Sequence, residues 1–294
     1  MQFDIFEHSQ DVMLRNDAAH ALERRDASAA RQACERLAAE YPHDEHLPLL
    51  RILCEHVEAV ADALFRDHEA LREARARLES TVRPAAQRIF GEVPAASFLT
   101  SSWEALARRA RALAFDPRFP HDHAAALWLR AGAWQAAAEA VSAIESWRRK
   151  PAPLSWMVQA RLHLLGLQAT WPLLAELGWL SPTLLEDVAR SSPDPLLPRL
   201  IGKFEASFEG DSADRDAASD LSWFAAWVLT ERPTLREPLA LAEPSQHSAP
   251  EQAMRLMVEL LGLERQGRHA DIVARRKLLR DLQPSLYAAY MKSR

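Results

Sequence analysis

The stretch Leu256–Pro284, with the sequence LMVELLGLERQGRHADIVARRKLLRDLQP, decides the fold. Its first half places leucines at 256, 260 and 263, and its second half places apolar residues at 272 and 279, which is the spacing of one buried helical face. Gly267 lies between the halves, where glycine commonly ends a helix in a tight turn. Pro284 is unsuited to the interior of a helix. The stretch therefore predicts two helices joined by a short turn, with a new element beginning at the proline.

Two other stretches repeat this pattern of helix, tight turn and helix. One runs from Ala18 to Pro42 with a turn at Asp26, and the other runs from Ala125 to Ile144 with a turn at Gly132. Small residues let the second helix lie close to the first, and the next pair covers the large residues on the other side. The pattern resembles the tetratricopeptide-repeat (TPR) family in a degenerate form. The resemblance implies an all-α solenoid of antiparallel helix pairs, TPR-like with an irregular middle section.

The family resemblance also implies where a partner would bind. TPR proteins hold ligands along the first helices of their pairs, on the concave side. Carried over position by position, this implies partner contacts by Arg15, Leu22, Leu129, Arg130, Met257, Leu261 and Arg265. The arginines can fork onto a carboxylate or phosphate. Two departures from the family pattern are Asp26 in place of a turn glycine and Arg276 in place of a large apolar residue.

The composition favours helices along the whole chain. Of 294 residues, 53 are Ala and 42 are Leu, whereas Val, Ile and Thr together number 23, which argues against a large sheet. We expect a single helical-repeat domain over residues 1–294, with a division into 1–115 and a Trp-rich 116–294 as an alternative. Periodicity and breaks at proline and glycine predict helices at 6–24, 27–40, 45–65, 68–90, 101–114, 122–132, 134–147, 153–166, 170–178, 182–190, 195–208, 214–231, 249–265, 269–282 and 284–292.

Bulk charge and the cysteines narrow the class of protein. A formal net charge of −5 disfavours sequence-independent nucleic-acid binding, which needs a basic face. The first residues lack the basic and apolar regions of a secretory signal, and no stretch approaches the length of an apolar membrane span. Cys34 and Cys54 belong to no CxxC motif, which is typical of buried thiols in a reducing cytoplasm. The 32 Arg against 4 Lys and the many alanines indicate a GC-rich bacterial genome.

Two histidine–aspartate motifs are the candidates for chemistry: Pro42-His43-Asp44-Glu45-His46 and Pro120-His121-Asp122-His123. They resemble the metal-ligating pair of all-helical HD phosphohydrolases, in which a metal would activate water on a phosphoester. Both motifs, however, follow a proline and precede a predicted helix, where Asp commonly caps free backbone N–H groups. We therefore interpret Asp44 and Asp122 as N-caps and assign no metal, no cofactor and no catalytic residue.

Nine tryptophans lie between positions 103 and 227. Trp223 and Trp227 are four residues apart and share one face of a helix. Tryptophan fills cores and also supplies much of the energy of interfaces. The Trp-rich middle is therefore either the packed centre of short helices or an aromatic groove, and Trp223 and Trp227 are candidate partner contacts.

These observations predict a non-catalytic protein–protein interaction module. It would act as an adaptor, scaffold or accessory subunit in the cytoplasm and bind a partner protein or peptide in a helical groove. Fold alone does not dictate function, so two alternatives stay open. They are a metal-dependent HD-like phosphohydrolase and a small-molecule or nucleic-acid sensor that uses the Trp-rich middle.

Overall fold

The computed structural model describes residues 4–59, 63–208, 220–245 and 247–294, and within these ranges the regular secondary structure is helical with no strand. The prediction of an all-α fold is confirmed. No helix in this part of the chain combines the length and the apolar composition that crossing a bilayer requires.

The first of two compact units covers Met1–Ala133. Its helices are α1 (Asp4–Glu23), α2 (Ala27–Glu40), α3 (Leu47–Glu58), α4 (His68–Arg77), α5 (Arg83–Phe90), α6 (Glu92–Ala110) and α7 (Ala124–Arg130). A π-helical segment, Leu78–Val82, continues α4 into α5. Successive helices pack on one another, including α1 on α2, α2 on α3, α5 on α6 and α6 on α7, around a core of mostly Leu and Ala.

Side-chain caps explain where two of these helices begin. The Asp26 carboxylate accepts a hydrogen bond from the Ala29 backbone N at 3.0 Å and starts α2, and Asp67 does the same for the Ala70 N at 2.8 Å and starts α4. The left-handed residue of the α1–α2 turn is Arg25, with φ 56°. Asp26 therefore acts as a helix cap, and its neighbour adopts the conformation expected of a turn glycine.

The second unit covers Trp134–Arg294. Its helices are α8 (Trp134–Ser142), α9 (Pro151–Leu180), α10 (Pro182–Arg190), α11 (Leu196–Ser207), α12 (Phe224–Glu231), α13 (Ala249–Gln266), α14 (His269–Leu282) and α15 (Pro284–Lys292). A 3-10 turn (Pro233–Leu235) and one helical turn (Arg236–Leu239) separate α12 from α13. Consecutive helices again pack on one another, and α12 also contacts α15.

Several helix boundaries, and the division between the two units, differ from the sequence predictions. The helix predicted at 101–114 begins at Glu92, because Gly91 adopts φ 76° and lets α6 start directly after α5. The helices predicted at 153–166 and 170–178 meet at Gly166, whose φ of 76° and ψ of 176° are not helical, so the second helix begins earlier than predicted and α9 contains both. The start of the helix predicted at 214–231 lies outside the described residues, and α12 begins at Phe224. The chain passes between units after Ala133, whereas the alternative division was placed after residue 115.

Candidate functional site

A cleft of about 580 Å³ opens between α11, α12 and α15 of the second unit. This volume is within the range of sites that hold a ligand or a segment of another chain. The three helices surround an open space that polar and apolar side chains line together. Its lining consists of Lys203, Ser207, Trp227, Thr230, Glu231, Ser285, Ala288, Ala289, Lys292 and Ser293.

One wall of the cleft is a single face of α15. Its lining residues follow the spacing i, i+3, i+4, i+7 and i+8 from Ser285 to Ser293, which places them in one stripe along the helix. At 1.5 Å per residue this stripe is about 12 Å long. Four of its five side chains are Ser or Ala, so the backbone of α15 is open to close approach.

The opposite wall is formed by α11 and α12, and its polar groups are largely occupied. Lys203 forms an ion pair with Glu231. The Thr230 hydroxyl donates to the Trp227 carbonyl oxygen at 2.8 Å, and the Ser207 hydroxyl donates to the Lys203 carbonyl oxygen at 2.7 Å. These contacts fix the side chains before any ligand arrives.

Lys292 is the charged group of the cleft that remains available. Its side chain lies in the last turn of α15, is exposed, and forms no hydrogen bond or ion pair with the described part of the chain. Since Glu231 pairs with Lys203, Lys292 is an unpaired positive charge among the described residues that line the cleft. The cleft can therefore attract a carboxylate or another anionic group.

Four of the nine predicted partner contacts are core residues. Leu22 and Met257 are fully buried, and Leu261 and Trp227 are 4% and 2% exposed. A partner would not reach these side chains in the folded unit, apart from the edge of Trp227 that borders the cleft. The same apolar character that marked them in the sequence explains their burial.

The other five predicted contacts are accessible to different degrees. Leu129 and Trp223 are half-buried. The three arginines are ion-paired, Arg15 with Asp44 at 2.6 Å, Arg130 with Glu79 at 3.4 Å and Arg265 with Glu237 at 3.6 Å. The nine residues are divided between the two units, so neither unit presents them as one surface.

The histidine–aspartate motifs have structural contacts that differ from the predicted ones. In the second motif, His123 is the N-cap of α7, and its Nδ1 accepts from the Ala125 N at 3.1 Å. Burial lowers the pKa of His123 to about 4, which keeps the ring neutral. Asp122 is 3% exposed and accepts from Arg75 Nε at 2.7 Å. The assignment of Asp122 as the cap was therefore wrong.

The first motif also uses its aspartate differently. Asp44 accepts from the His46 backbone N at 2.8 Å and from Arg15 Nε at 2.6 Å, while α3 begins after His46 without a side-chain cap. The interpretation of Asp44 as an N-cap was also wrong. Over the ranges that the structure describes, no three His, Cys, Asp or Glu side chains are grouped closely enough to hold a metal ion.

The tryptophans are mainly core residues. Five of the nine are buried, namely Trp103, Trp156, Trp171, Trp179 and Trp227, and the other four are half-buried. In the second unit, Trp171, Phe204, Phe224 and Trp227 contact one another with ring centroids 5.4 to 6.2 Å apart. The aromatic residues therefore fill the space between helices, and the cleft exposes small and polar side chains instead.

Comparison of the chain with protein families, curated proteins and solved structures gives no match. Sequence reasoning missed the cleft, although one signal for it was present. The helix predicted at 284–292 carries Ser285, Ala288 and Ala289 at helical spacing, followed by Ser293. A stripe of small residues on a helix indicates close approach by another chain segment, but it does not say whether that segment belongs to the same protein.

Proposed function

We propose that this chain is a non-catalytic interaction protein of the cytoplasm, and that the cleft of the second unit binds one segment of a partner protein. The observation that carries the proposal is the face of α15, where small side chains flank Lys292 along about 12 Å of helix. Such a face fits the backbone of a helical or extended segment, as in other helix-groove complexes.

The chemistry of the lining selects an acidic segment. Lys292 forms no ion pair with the described residues, and Lys203 is paired with Glu231. An Asp, a Glu or a terminal carboxylate of the partner would pair with the positive charge of Lys292. Ser285 lies on the same helical face as Lys292, about two turns earlier, and offers a hydroxyl for hydrogen bonding.

The proposal includes a TPR-like arrangement of antiparallel helix pairs. Support comes from the turns, since Arg25 and Gly267 adopt left-handed φ angles of 56° and 69° between consecutive packed helices. Where TPR repeats place a large apolar residue, Arg276 donates to the Tyr290 hydroxyl oxygen at 3.1 Å and to Glu264 at 3.3 Å. A polar network thus takes the place of an apolar contact between α13, α14 and α15.

Selection of peptides from a random displayed library tests the proposal. We expect the full-length protein to select peptides that contain Asp or Glu. The variant Ala289→Trp fills the cleft and should abolish their binding. Lys292→Glu should weaken binding by at least about tenfold, because a charge pair of about 1 kcal/mol becomes a repulsion.

Ala274→Trp is the matched control, since Ala274 is exposed on α14 and does not line the cleft. This variant makes the same change of side chain within a helix and should bind the selected peptides like the wild type. Peptides without acidic residues, or peptides that bind Ala289→Trp as well as the wild type, would contradict the proposal.

A further inference from the structure

The first unit holds a pair of thiols that the proposed function does not use. Cys34 on α2 and Cys54 on α3 place their Sγ atoms 3.4 Å apart, and neither is part of a disulfide. The two helices pack directly against each other. Their spacing brings the sulfurs into van der Waals contact, about 1.4 Å farther apart than in a disulfide.

The thiols lie at the floor of a small cavity. They are 5% and 6% exposed, yet both line a space of about 320 Å³ between α2 and α3. A water-sized molecule occupies about 30 Å³, so a small oxidant has room to reach the sulfurs. The rim is formed by charged side chains, among them Arg31, which forms a 2.7 Å ion pair with Glu58, and Arg51. A small uncharged oxidant suits such an entrance.

The two sulfurs share one hydrogen bond, in which either atom can be the donor. Burial opposes the ionisation of both thiols, while the positive charges of Arg51 and Arg31 favour it at Cys34 and Cys54 respectively. Once one thiol ionises, the other donates to its thiolate, which lowers the pKa of the first sulfur and raises the pKa of the second. Because the thiolate is the reactive form of cysteine, each sulfur can activate the other.

We propose that Cys34 and Cys54 form a reversible disulfide, in which a peroxide oxidises one sulfur and the other sulfur resolves it. The bond would link α2 to α3 within the first unit. It adds an oxidative modification site to the chain and is independent of the cleft in the second unit.

The reaction balances in two steps, and the same steps apply with the two cysteines exchanged. The Cys34 thiolate attacks one oxygen of hydrogen peroxide, the O–O bond breaks, and the departing hydroxide takes a proton to become water, leaving a sulfenic acid. The Cys54 thiolate then attacks the Cys34 sulfur, the S–O bond breaks, and a second water leaves. The two sulfurs lose two electrons and the peroxide gains them. Loss of the Cys34 negative charge in the first step removes one cause of the high pKa of Cys54 and favours the second step.

The test treats the reduced, folded full-length protein with hydrogen peroxide, blocks the remaining thiols with N-ethylmaleimide and measures the intact mass. We expect both thiols to escape alkylation, a mass loss of two hydrogen atoms, a peptide map that links Cys34 to Cys54, and full reversal by dithiothreitol. Sulfinic acid on either cysteine without the link, or a disulfide between two chains, would overturn the proposal.

Single variants test whether each sulfur resolves the oxidation of the other. In Cys54→Ser and in Cys34→Ser the oxidation should stop at a sulfenic acid that dimedone traps, whereas the wild type should form the disulfide without a dimedone adduct. Far-ultraviolet circular dichroism checks that each variant is folded. A folded variant that gives no dimedone adduct, or a wild type that gives as much adduct as the variants, would overturn the proposal.

Discussion

The two units bury different kinds of side chain. In the first, the core is built mainly from Leu and Ala, and Trp103 is its one buried tryptophan among the described residues. In the second, the core contains Trp156, Trp171, Trp179 and Trp227, with phenylalanines packed beside two of them. Small side chains let helices approach closely, whereas rings fill wider spaces between helices. An Ala-rich helical composition therefore leads to two packing solutions in one chain.

Removing a central ring should have the largest effect. Trp171→Ala deletes a side chain that is 2% exposed and lies 6.1 Å from the Phe224 ring. We expect it to lower the free energy of unfolding by about 3 to 5 kcal/mol, because a cavity replaces the indole. Urea denaturation of the full-length chain, followed by circular dichroism, measures this loss.

Two other substitutions by alanine provide reference values for this loss of free energy of unfolding. Leu50→Ala in the first unit should cost about 2 to 4 kcal/mol, since Leu50 is fully buried but smaller. Trp223→Ala, at a half-buried position, should cost about 1 kcal/mol. A loss for Trp171→Ala no greater than that for Trp223→Ala would show that the aromatic cluster is not the core of the second unit.

Buried titratable groups should make the first unit sensitive to acid. Burial, with the nearby positive charges of Arg25 and Arg77, lowers the pKa of His56 to about 4 from 6.5. Between pH 6.5 and 4 the unfolded chain binds a proton at this imidazole that the folded chain does not. Stability therefore falls as the pH falls through this window, by up to about 3 kcal/mol from this group.

His56→Gln tests this effect. The variant should lose less stability than the wild type between pH 6.5 and pH 4, as measured by urea denaturation at a series of pH values. His43→Gln, at an exposed position, is the control and should keep the wild-type profile. An unchanged acid-induced loss in His56→Gln would remove His56 as its cause.

The second unit has a buried carboxyl group that changes the pH dependence of stability in the opposite direction to His56. Burial raises the pKa of Glu176, although Arg148 donates two hydrogen bonds to it at 2.8 and 2.9 Å. The folded state thus binds this proton more tightly than the unfolded state, and the contribution of Glu176 becomes more favourable as the pH falls. The contributions of His56 and Glu176 to the pH dependence of stability therefore have opposite signs.

Much of the fold could be predicted because its boundaries are marked locally. The helices predicted at 27–40, 182–190, 269–282 and 284–292 have the observed bounds. Each begins at a cap or a proline, or ends before one, and these signals act within a few residues. The part of α6 before residue 101 was not predicted, although Pro94 lies in the first turn of this helix, where proline is tolerated.

The candidate site could not be predicted in the same way. The cleft joins residues from Lys203 to Ser293, and its existence depends on which helix faces meet. Arg15, Arg130 and Arg265 were chosen for their charge, but the sequence does not say which acidic residues lie opposite them. Trp227 was chosen for its size and apolar character, which are the properties that bury it in the core. Side-chain type alone does not separate a partner contact from a packing contact.

Each unit contains a glycine with positive φ between two helical segments. Replacing this glycine should lower the free energy of unfolding less than removing a core ring. Gly91 has φ 76° and ψ 177°, and Gly166 has φ 76° and ψ 176°, a region that other residues rarely adopt. Each lets one helix follow another without a loop. Gly91→Ala and Gly166→Ala should each cost about 1 to 3 kcal/mol in urea denaturation.

Gly202→Ala separates backbone strain from crowding. A Cβ atom added at Gly91, Gly166 or Gly202 would meet no heavy atom within 4 Å, but Gly202 lies within α11 and has no positive φ. Because alanine restricts the unfolded chain and suits a helix, Gly202→Ala should raise the free energy of unfolding by about 0.5 to 1 kcal/mol. If all three variants changed the free energy of unfolding in the same direction, backbone conformation would not govern these sites. The bends after α5 and within α9 would then not require glycine.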